Sequence, residues 1–188
     1  MSKCQGALYH LRSIAQIRHF LDEDATRTLI QALVISRLDY ANSLLIGVSK
    51  LYIRPLQLIQ NSAARLITRS PFRDHITPIL YRLHWLPVEY HVCFKVLLFY
   101  FNCLRGSAPN YLIELLNIYE PIRPLRSSSQ LLLNVPKSFS KLGDRSFEVY
   151  APKEWNQLPL SIRSITSLCS FKRNLKTYFF KQYFNDFC

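Results

Sequence analysis

Two apolar helical patterns, separated by a short basic turn within residues 56–101, constrain the fold of this chain more than any other feature. In the first pattern, apolar side chains recur at steps of three and four, the spacing of one helix face. These side chains are Leu56, Ile59, Ala63, Leu66 and Ile67. The second pattern is apolar nearly all round over residues 96–101, as is usual for a helix buried among others. We therefore expect the rest of the chain to cover this pair of helices.

Further helix signals surround the central pair. Periodicity and capping residues predict helices over residues 7–20, 25–45, 78–83, 87–105, 110–117 and 168–184, and one over residues 145–155 with a break at Pro152. Asp22 is the predicted N-cap of the second helix and Thr77 that of the short one. Pro55 is expected in the first turn of a third helix that ends near Ile67, because a missing N–H costs nothing there.

The predicted fold is therefore mainly α, with at most one small β-hairpin, between residues 131–135 and 139–142. A length of 188 residues, 49% of them hydrophobic, suffices for one domain with a sizeable core. We predict a three-helix region over residues 1–68, central helices packed on it over residues 69–118, and a basic C-terminal region over residues 119–188.

The charge balance favours a polyanionic partner. Lys and Arg number 24 against 12 Asp and Glu, a net charge of +12, and such an excess attracts nucleic acid through counterion release. An anionic membrane surface would satisfy the same balance. However, no apolar run approaches the roughly 18 residues needed to cross a bilayer, and the N-terminus has no signal-peptide pattern. We expect a soluble intracellular protein, cytoplasmic or nuclear, with no membrane partner.

Motifs that carry chemistry are absent from the sequence. The five cysteines are odd in number and widely spaced, without a CxxC pair. His84, His91 and Cys93 match no common zinc spacing and are interpreted as structural residues. There is no Gly-x-Ser-x-Gly turn and no glycine-rich phosphate loop. We predict no catalytic residues, no metal and no cofactor.

Several short segments resemble a known family. They are residues 37–40 (RLDY), 42–45 (NSLL), 58–66 (LIQNSAARL), 75–78 (HITP), 83–87 (LHWLP), 108–112 (APNYL), 125–129 (LRSSS), 143–147 (GDRSF) and 151–159 (APKEWNQLP). In order and spacing they resemble the region just C-terminal to the polymerase palm in LINE-type (non-LTR) retrotransposon reverse transcriptases of the jockey-like branch. The resemblance covers roughly residues 8–180.

This resemblance implies a role in nucleic-acid binding rather than catalysis. The palm of the family would lie before Met1, and its signature, an aromatic residue, any residue and then Asp-Asp, does not occur in the sequence. The chain thus resembles a severed C-terminal piece, and the polymerase carboxylates that hold two metal ions are missing. Its first three helices resemble the thumb, which packs against the primer–template duplex. The expected partner is RNA or an RNA–DNA duplex, bound without sequence preference.

Basic residues suited to phosphate contacts form two candidate sets. The first comprises Arg12, Arg18, Arg37, Arg65, Arg69 and Arg73. The second comprises Arg123, Arg126, Lys137, Lys141 and Arg145, together with Lys153. Alternatively, Arg37 and Arg65 form internal ion pairs, for example with Asp39, and the second set is a solvated linker. The last helix carries a further basic face that is either solvated or presented to RNA.

Two other functions remain open from the sequence. One is a helical protein-interaction remnant without a nucleic-acid role, and the other is a sequence-specific DNA binder. An apolar face left by the missing palm would favour self-association in either case. Four aromatic residues are predicted to be core anchors rather than base-stacking platforms. These are Tyr40, Trp85, Tyr90 and Trp155.

Overall fold

The computed structural model describes residues 2–115 and 130–185, with side chains from Cys4 onward. Helices make up 72% of the structure and strands 1%, which confirms the mainly α fold. The described chain forms two compact units. The first unit comprises residues 2–44, 48–91 and 183–185, and the second comprises residues 45–47, 92–115 and 130–182. The three regions predicted from the sequence divide the chain at other positions, and that division stays a prediction.

The first unit begins with helix α1 (Ser2–Ile17), which continues as a 3₁₀ turn (Arg18–Phe20). The next helix, α2 (Glu23–Ile30), starts where the side chain of Asp22 accepts a hydrogen bond of 2.7 Å from the backbone N–H of Ala25. The N-cap predicted at Asp22 is therefore confirmed, and it satisfies a donor that the helix itself leaves unpaired.

The helical path after α2 is less regular than the periodicity suggests. A π turn (Gln31–Ile35) follows α2 and leads into α3 (Ser36–Asp39). The chain then leaves the helix and makes a separate 3₁₀ turn (Asn42–Leu45), after which Gly47 adopts a left-handed φ of 62°. The single helix predicted over residues 25–45 therefore ends about six residues early.

The longest helix of the first unit, α4 (Lys50–Thr68), has Pro55 in its interior. Ser49 provides the N-cap, accepting from the backbone N–H of Leu51 at 3.4 Å. The prediction that Pro55 lies in the first turn is therefore wrong. A proline in the interior removes one helix hydrogen bond, but the buried apolar face holds the helix together. Its members are Ile53, Leu56, Ile59, Ala63, Ala64 and Ile67.

Two glutamines of α4 fix the chain that follows α5 (Ile76–Arg82). The side-chain amide of Gln60 donates to the carbonyl of Leu86 at 2.9 Å, and the amide oxygen of Gln57 accepts from the backbone N–H of Val88 at 2.9 Å. The second bond satisfies an N–H at the start of the next helix, where no helical acceptor exists. Helix α5 itself begins just before Thr77, which is therefore not its N-cap.

Helix α6 (Val88–Leu104) is the predicted central helix, and most of it belongs to the second unit. The prediction that it is buried nearly all round is confirmed. The buried side chains of its second-unit part are Val92, Cys93, Val96, Leu97, Leu98, Tyr100, Phe101 and Cys103. Gly106, with a left-handed φ of 67°, follows its last turn, as predicted.

Four further helices complete the described part of the second unit. They are α7 (Asn110–Ile113), α8 (Phe147–Gln157), α9 (Leu160–Arg163) and α10 (Leu168–Tyr183), with a 3₁₀ turn (Gly143–Arg145) before α8. Helix α8 continues through Pro152, so the predicted break does not occur.

An aromatic cluster forms the core of the second unit. Phe171 of α10 stacks on Phe101 of α6 with ring centroids 4.2 Å apart and on Trp155 of α8 at 5.7 Å. Tyr100 contacts Trp155 at 6.0 Å and Phe147 at 5.6 Å. Phe171 and Tyr100 are fully buried. Three helices distant in sequence are thus joined by rings, each of which buries a large apolar area.

The predicted hairpin does not form. Residues 139–142 adopt bends and turns instead of a strand. The extended chain at Leu133 is held by the side chain of Asn156, which accepts from its N–H at 3.0 Å and donates to its carbonyl at 2.9 Å. The indole N–H of Trp155 donates to the carbonyl of Leu131 at 3.2 Å. Helix side chains therefore satisfy the carbonyl of Leu131 and both backbone groups of Leu133.

The four aromatic residues predicted to be core anchors differ in how deeply they are buried. Trp155 is 3% exposed, so its role as a core anchor is confirmed. Trp85 and Tyr90 are half-buried. Tyr40 is 74% exposed because α3 ends immediately before it, and its prediction as a core residue is wrong.

Candidate nucleic-acid interface

Arg18 is buried and holds the protein's own backbone. Its guanidinium donates to the carbonyls of Leu66 (2.8 Å), Ile67 (2.9 Å) and Leu21 (2.7 Å). The first two are among the last carbonyls of α4, which have no partner within the helix and lie at the negative end of its dipole. This geometry corrects the sequence prediction, because a guanidinium bound on three sides and 8% exposed cannot also reach a phosphate.

Arg69 and Arg73 flank the turn that follows α4. Arg69 has a left-handed φ of 51° and ends the helix, and its guanidinium lies 3.4 Å from the carbonyl of Leu21, a long contact. Arg73 is exposed. Both remain accessible to an anionic partner, Arg73 more freely than Arg69.

Arg65 is only partly available. Its Nη2 donates to the carbonyl of Asp74 at 3.1 Å, and its guanidinium lies 5.3 Å from the centre of the Phe72 ring. Phe72 is itself 86% exposed. The turn thus combines an exposed ring with cations, the combination that single-stranded nucleic acids bind by stacking and phosphate contact.

Arg12 and Arg37 are exposed on the first unit. The guanidinium of Arg37 lies against α1 at Gly6, where an added Cβ would come within 3.0 Å of its Nη1. The alternative in which Arg37 pairs with Asp39 is not what the structure shows. Asp39 instead pairs with His91, with 2.8 Å between its Oδ1 and the Nδ1 of the imidazole.

Several other cations of the first unit are already paired with carboxylates. Arg27 and Arg82 both contact Glu23, at 3.1 and 3.0 Å, and Lys50 lies 3.7 Å from Glu89. These pairs are exposed, and pairs of this kind add little stability. They do reduce the charge that this unit can offer to a polyanion.

The second candidate set is only partly described. Arg123 and Arg126 lie outside the described residues. Lys137 and Lys141 are exposed, whereas Arg145 is half-buried and its Nε donates to the carbonyl of Ile46 at 3.3 Å. Lys153, on α8, is also exposed.

Helix α10 presents the most uniform basic face. Phe171, Leu175 and Phe179 are buried along one side. The exposed cations are Lys172, Arg173, Lys176 and Lys181. Within the part of the chain that the structure describes, none of the four makes an ion pair, and residues 155–185 contain no Asp or Glu.

The residues considered for metal binding or nucleophilic chemistry have other environments. Residues 2–115 and 130–185 hold no group of three His, Cys, Asp or Glu side chains that could bind a metal. Cys93 is buried and lies 3.5 Å from a carboxylate oxygen of Glu154. Burial raises the pKa of the Cys103 thiol, which keeps it protonated and unreactive.

The sequence interpretation missed Arg163, which closes α9. It is 8% exposed, although nothing in its sequence context distinguishes it from a surface arginine. The one hint is its position after Leu160 and Ile162 in a segment without acidic residues. Burial lowers the pKa of its guanidinium, because the charged form is less well solvated there.

None of the helices in residues 2–115 and 130–185 is both long enough and apolar enough to span a bilayer. Compared with models of protein families, with curated proteins and with solved structures, the chain gives no match.

Proposed function

We propose that the chain binds nucleic acid through its phosphate backbone, as the thumb and following segment of a LINE-type reverse transcriptase would, without holding a polymerase active site. The partner would be RNA or an RNA–DNA duplex, and binding would depend on charge more than on sequence.

The observation that carries this proposal is the basic face of α10. Lys181 lies nine positions after Lys172, so the four cations extend over about 14 Å of helix, with Lys172, Arg173 and Lys176 close together around it and Lys181 further round. A duplex presents about one charge per 1.7 Å of axis, or roughly eight phosphate charges over the same length. Like charges one turn apart destabilise an isolated helix by a few tenths of a kcal/mol. A polyanion would relieve this repulsion between Lys172 and Lys176.

The order of sequence segments supports the same role. Nine short segments follow the order found after the palm of the family, and the net charge of +12 has the sign that a thumb requires. The exposed Arg12, Arg69 and Arg73 of the first unit add a second basic surface, with Phe72 as a ring available for stacking.

The test is binding of the purified chain to a labelled RNA–DNA duplex across a salt series, measured by fluorescence anisotropy. Each phosphate contact contributes about −0.9 to the slope of log Kobs against log salt concentration. Replacing Lys172, Arg173 and Lys176 by Gln should therefore reduce the magnitude of the slope by about 2.7.

A matched control removes the same charge from paired cations. The variant R27Q/K50Q/R82Q also loses three positive charges, each from a side chain that contacts a carboxylate. It should leave the slope close to that of the unmodified chain. The proposal fails if the folded protein does not bind at low salt, or if its binding does not weaken as salt rises.

Exposed apolar side chains favour one alternative, a protein-docking role for the first unit. The four on residues 40–52 are each about 70% exposed: Tyr40 (74%), Leu44 (75%), Leu51 (69%) and Tyr52 (71%). Apolar contacts respond weakly to salt, so capture of a partner or self-association that is unaffected by the salt series would identify this role.

A further inference from the structure

A cavity of about 210 Å³ lies in the second unit, apart from the basic surfaces described above. Its walls are mostly apolar, and two arginines are among the described residues that line it. These lining residues are Phe101, Leu104, Arg105, Leu131, Leu132, Leu133, Trp155 and Arg163.

Arg163 is the unusual member of this lining. Its side chain is more than nine-tenths buried, and its Nε and Nη1 have no hydrogen-bond partner within the described chain. Buried polar groups in folded proteins are nearly always hydrogen-bonded, and a buried charge is normally paired. An arginine in this state calls for an acceptor that the surrounding side chains do not provide.

The cavity wall at residues 131–133 is held in a fixed and locally strained conformation. Leu131 has a left-handed φ of 51°, which is rare for a bulky residue. Trp155 and Asn156 hold this segment in place through the hydrogen bonds to Leu131 and Leu133. Strain of this kind concentrates at ligand sites.

The chemistry of the lining selects an amphipathic anion. A guanidinium binds a carboxylate through strong charge-assisted hydrogen bonds, whereas water alone is poorly held by walls of Phe101, Leu104 and Trp155. Arg105 is an exposed member of the lining, with its guanidinium 5.4 Å from the Phe101 ring centre and its Nη2 bonded to the carbonyl of Ile165 at 2.9 Å. Its charge adds positive potential to the site.

We propose that this cavity binds a small carboxylate with an apolar body, and that Arg163 is the counter-ion of the carboxylate. A cavity of about 150 Å³ holds benzene, so 210 Å³ suits a ligand of about eight to ten non-hydrogen atoms. Phenylacetate has this size and charge. This proposal does not depend on nucleic-acid binding, and a negative result for one does not affect the other.

The experiment titrates the full chain with phenylacetate and follows heat by calorimetry and the emission of Trp155 in a W85F background, since Trp85 is the other tryptophan. We expect a Kd of about 1 mM or tighter, which is modest for ten non-hydrogen atoms. Phenylacetamide, which has the same shape but no charge, should bind about tenfold more weakly or not at all.

Two variants separate the charge from the volume. R163M should fold, because replacing an unpaired buried charge by an apolar side chain is often stabilising, and it should weaken phenylacetate binding by about tenfold or more. R54M makes the same replacement at an exposed arginine of α4 and should bind phenylacetate as the parent does. L104F keeps Arg163 but fills the cavity, and it should also lose binding.

Four outcomes would overturn the proposal. Three of them are equal binding of phenylacetate and phenylacetamide, unchanged binding by R163M, and preference for inorganic phosphate or a nucleoside monophosphate over phenylacetate. The last result would assign the cavity to a phosphate-bearing ligand instead. Absence of any binding by the folded parent chain at concentrations up to about 10 mM would equally refute it.

Discussion

The two units use their polar and aromatic side chains differently. In the first unit, polar side chains hold the backbone of neighbouring segments: Arg18 binds the end of α4, and Gln57 and Gln60 bind the chain around Val88. In the second unit, rings join the helices, because Phe171 links α6, α8 and α10 through Phe101 and Trp155. Polar side chains there hold mainly one segment, residues 131–133, through Trp155 and Asn156.

This difference determines which cations are free for a partner. A unit whose arginines are bound to its own carbonyls and carboxylates offers less charge to a polyanion, even when its sequence is rich in Arg. A helix that packs through rings, as α10 does, leaves its Lys and Arg in solvent. The contrast teaches that the number of basic residues is a poor guide to where a nucleic acid would bind.

The largest effect that would test this comparison is truncation of Phe171. F171A removes a fully buried ring at the junction of three helices. It should lower the free energy of unfolding by about 4 kcal/mol, the usual size for a buried Phe→Ala change. Urea unfolding followed by near-ultraviolet circular dichroism measures it. F139A, whose ring is 97% exposed, is the control within the same unit and should change little.

The corresponding polar test in the first unit is removal of Arg18. R18A leaves the carbonyls of Leu66 and Ile67 without their charged donor, and it should cost about 3 kcal/mol in unfolding free energy. R12A changes an exposed arginine on α1, the helix that leads into Arg18, and should stay within about 0.5 kcal/mol of the parent. Equal effects of the two variants in urea unfolding would show that Arg18 does not act as a structural donor.

Much of the fold could be predicted from the sequence because helical periodicity reports which side faces the core. The buried faces of α4 and α6 and the N-cap at Asp22 follow directly from the spacing of residues. The predicted position of Pro55 is wrong because tertiary burial of α4 outweighs the hydrogen bond that an interior proline removes. The predicted burial of Tyr40 is wrong because no local sequence signal marks the end of α3.

The candidate site was harder to predict, because an arginine looks the same in sequence whether it faces solvent or a helix end. Arg18 and Arg163 are buried only because distant segments, the end of α4 and the chain at residues 131–133, meet them in space. The basic face of α10 was predictable, since its cations and rings alternate at helical spacing. Its binding role remains a proposal.

The smallest expected effect concerns the hydroxyl of Tyr100, in the aromatic core of the second unit. The hydroxyl of Tyr100 is buried without a hydrogen-bond partner in the described residues. Removing it in Y100F should raise the unfolding free energy by about 1 kcal/mol at neutral pH, because an unsatisfied group no longer has to leave water. A loss of stability in Y100F would mean that the hydroxyl makes a hydrogen bond and that polar contacts, as well as rings, stabilise this core.

The pH dependence of the same pair of proteins sharpens this test. Burial raises the pKa of Tyr100 well above its ordinary value of 10. The unfolding free energy of the parent is therefore unaffected by this ionisation below pH 10. It falls as pH rises further, because the unfolded chain then releases the phenol proton while the folded chain keeps it. The advantage of Y100F over the parent should grow by about 1.4 kcal/mol per pH unit above pH 10. Urea unfolding of Y100F and the parent, measured from pH 8 to about 11, checks this growth. A difference between Y100F and the parent that stays flat over this range would show that Tyr100 ionises as readily in the folded chain as in the unfolded one, and that the ring core of the second unit admits water.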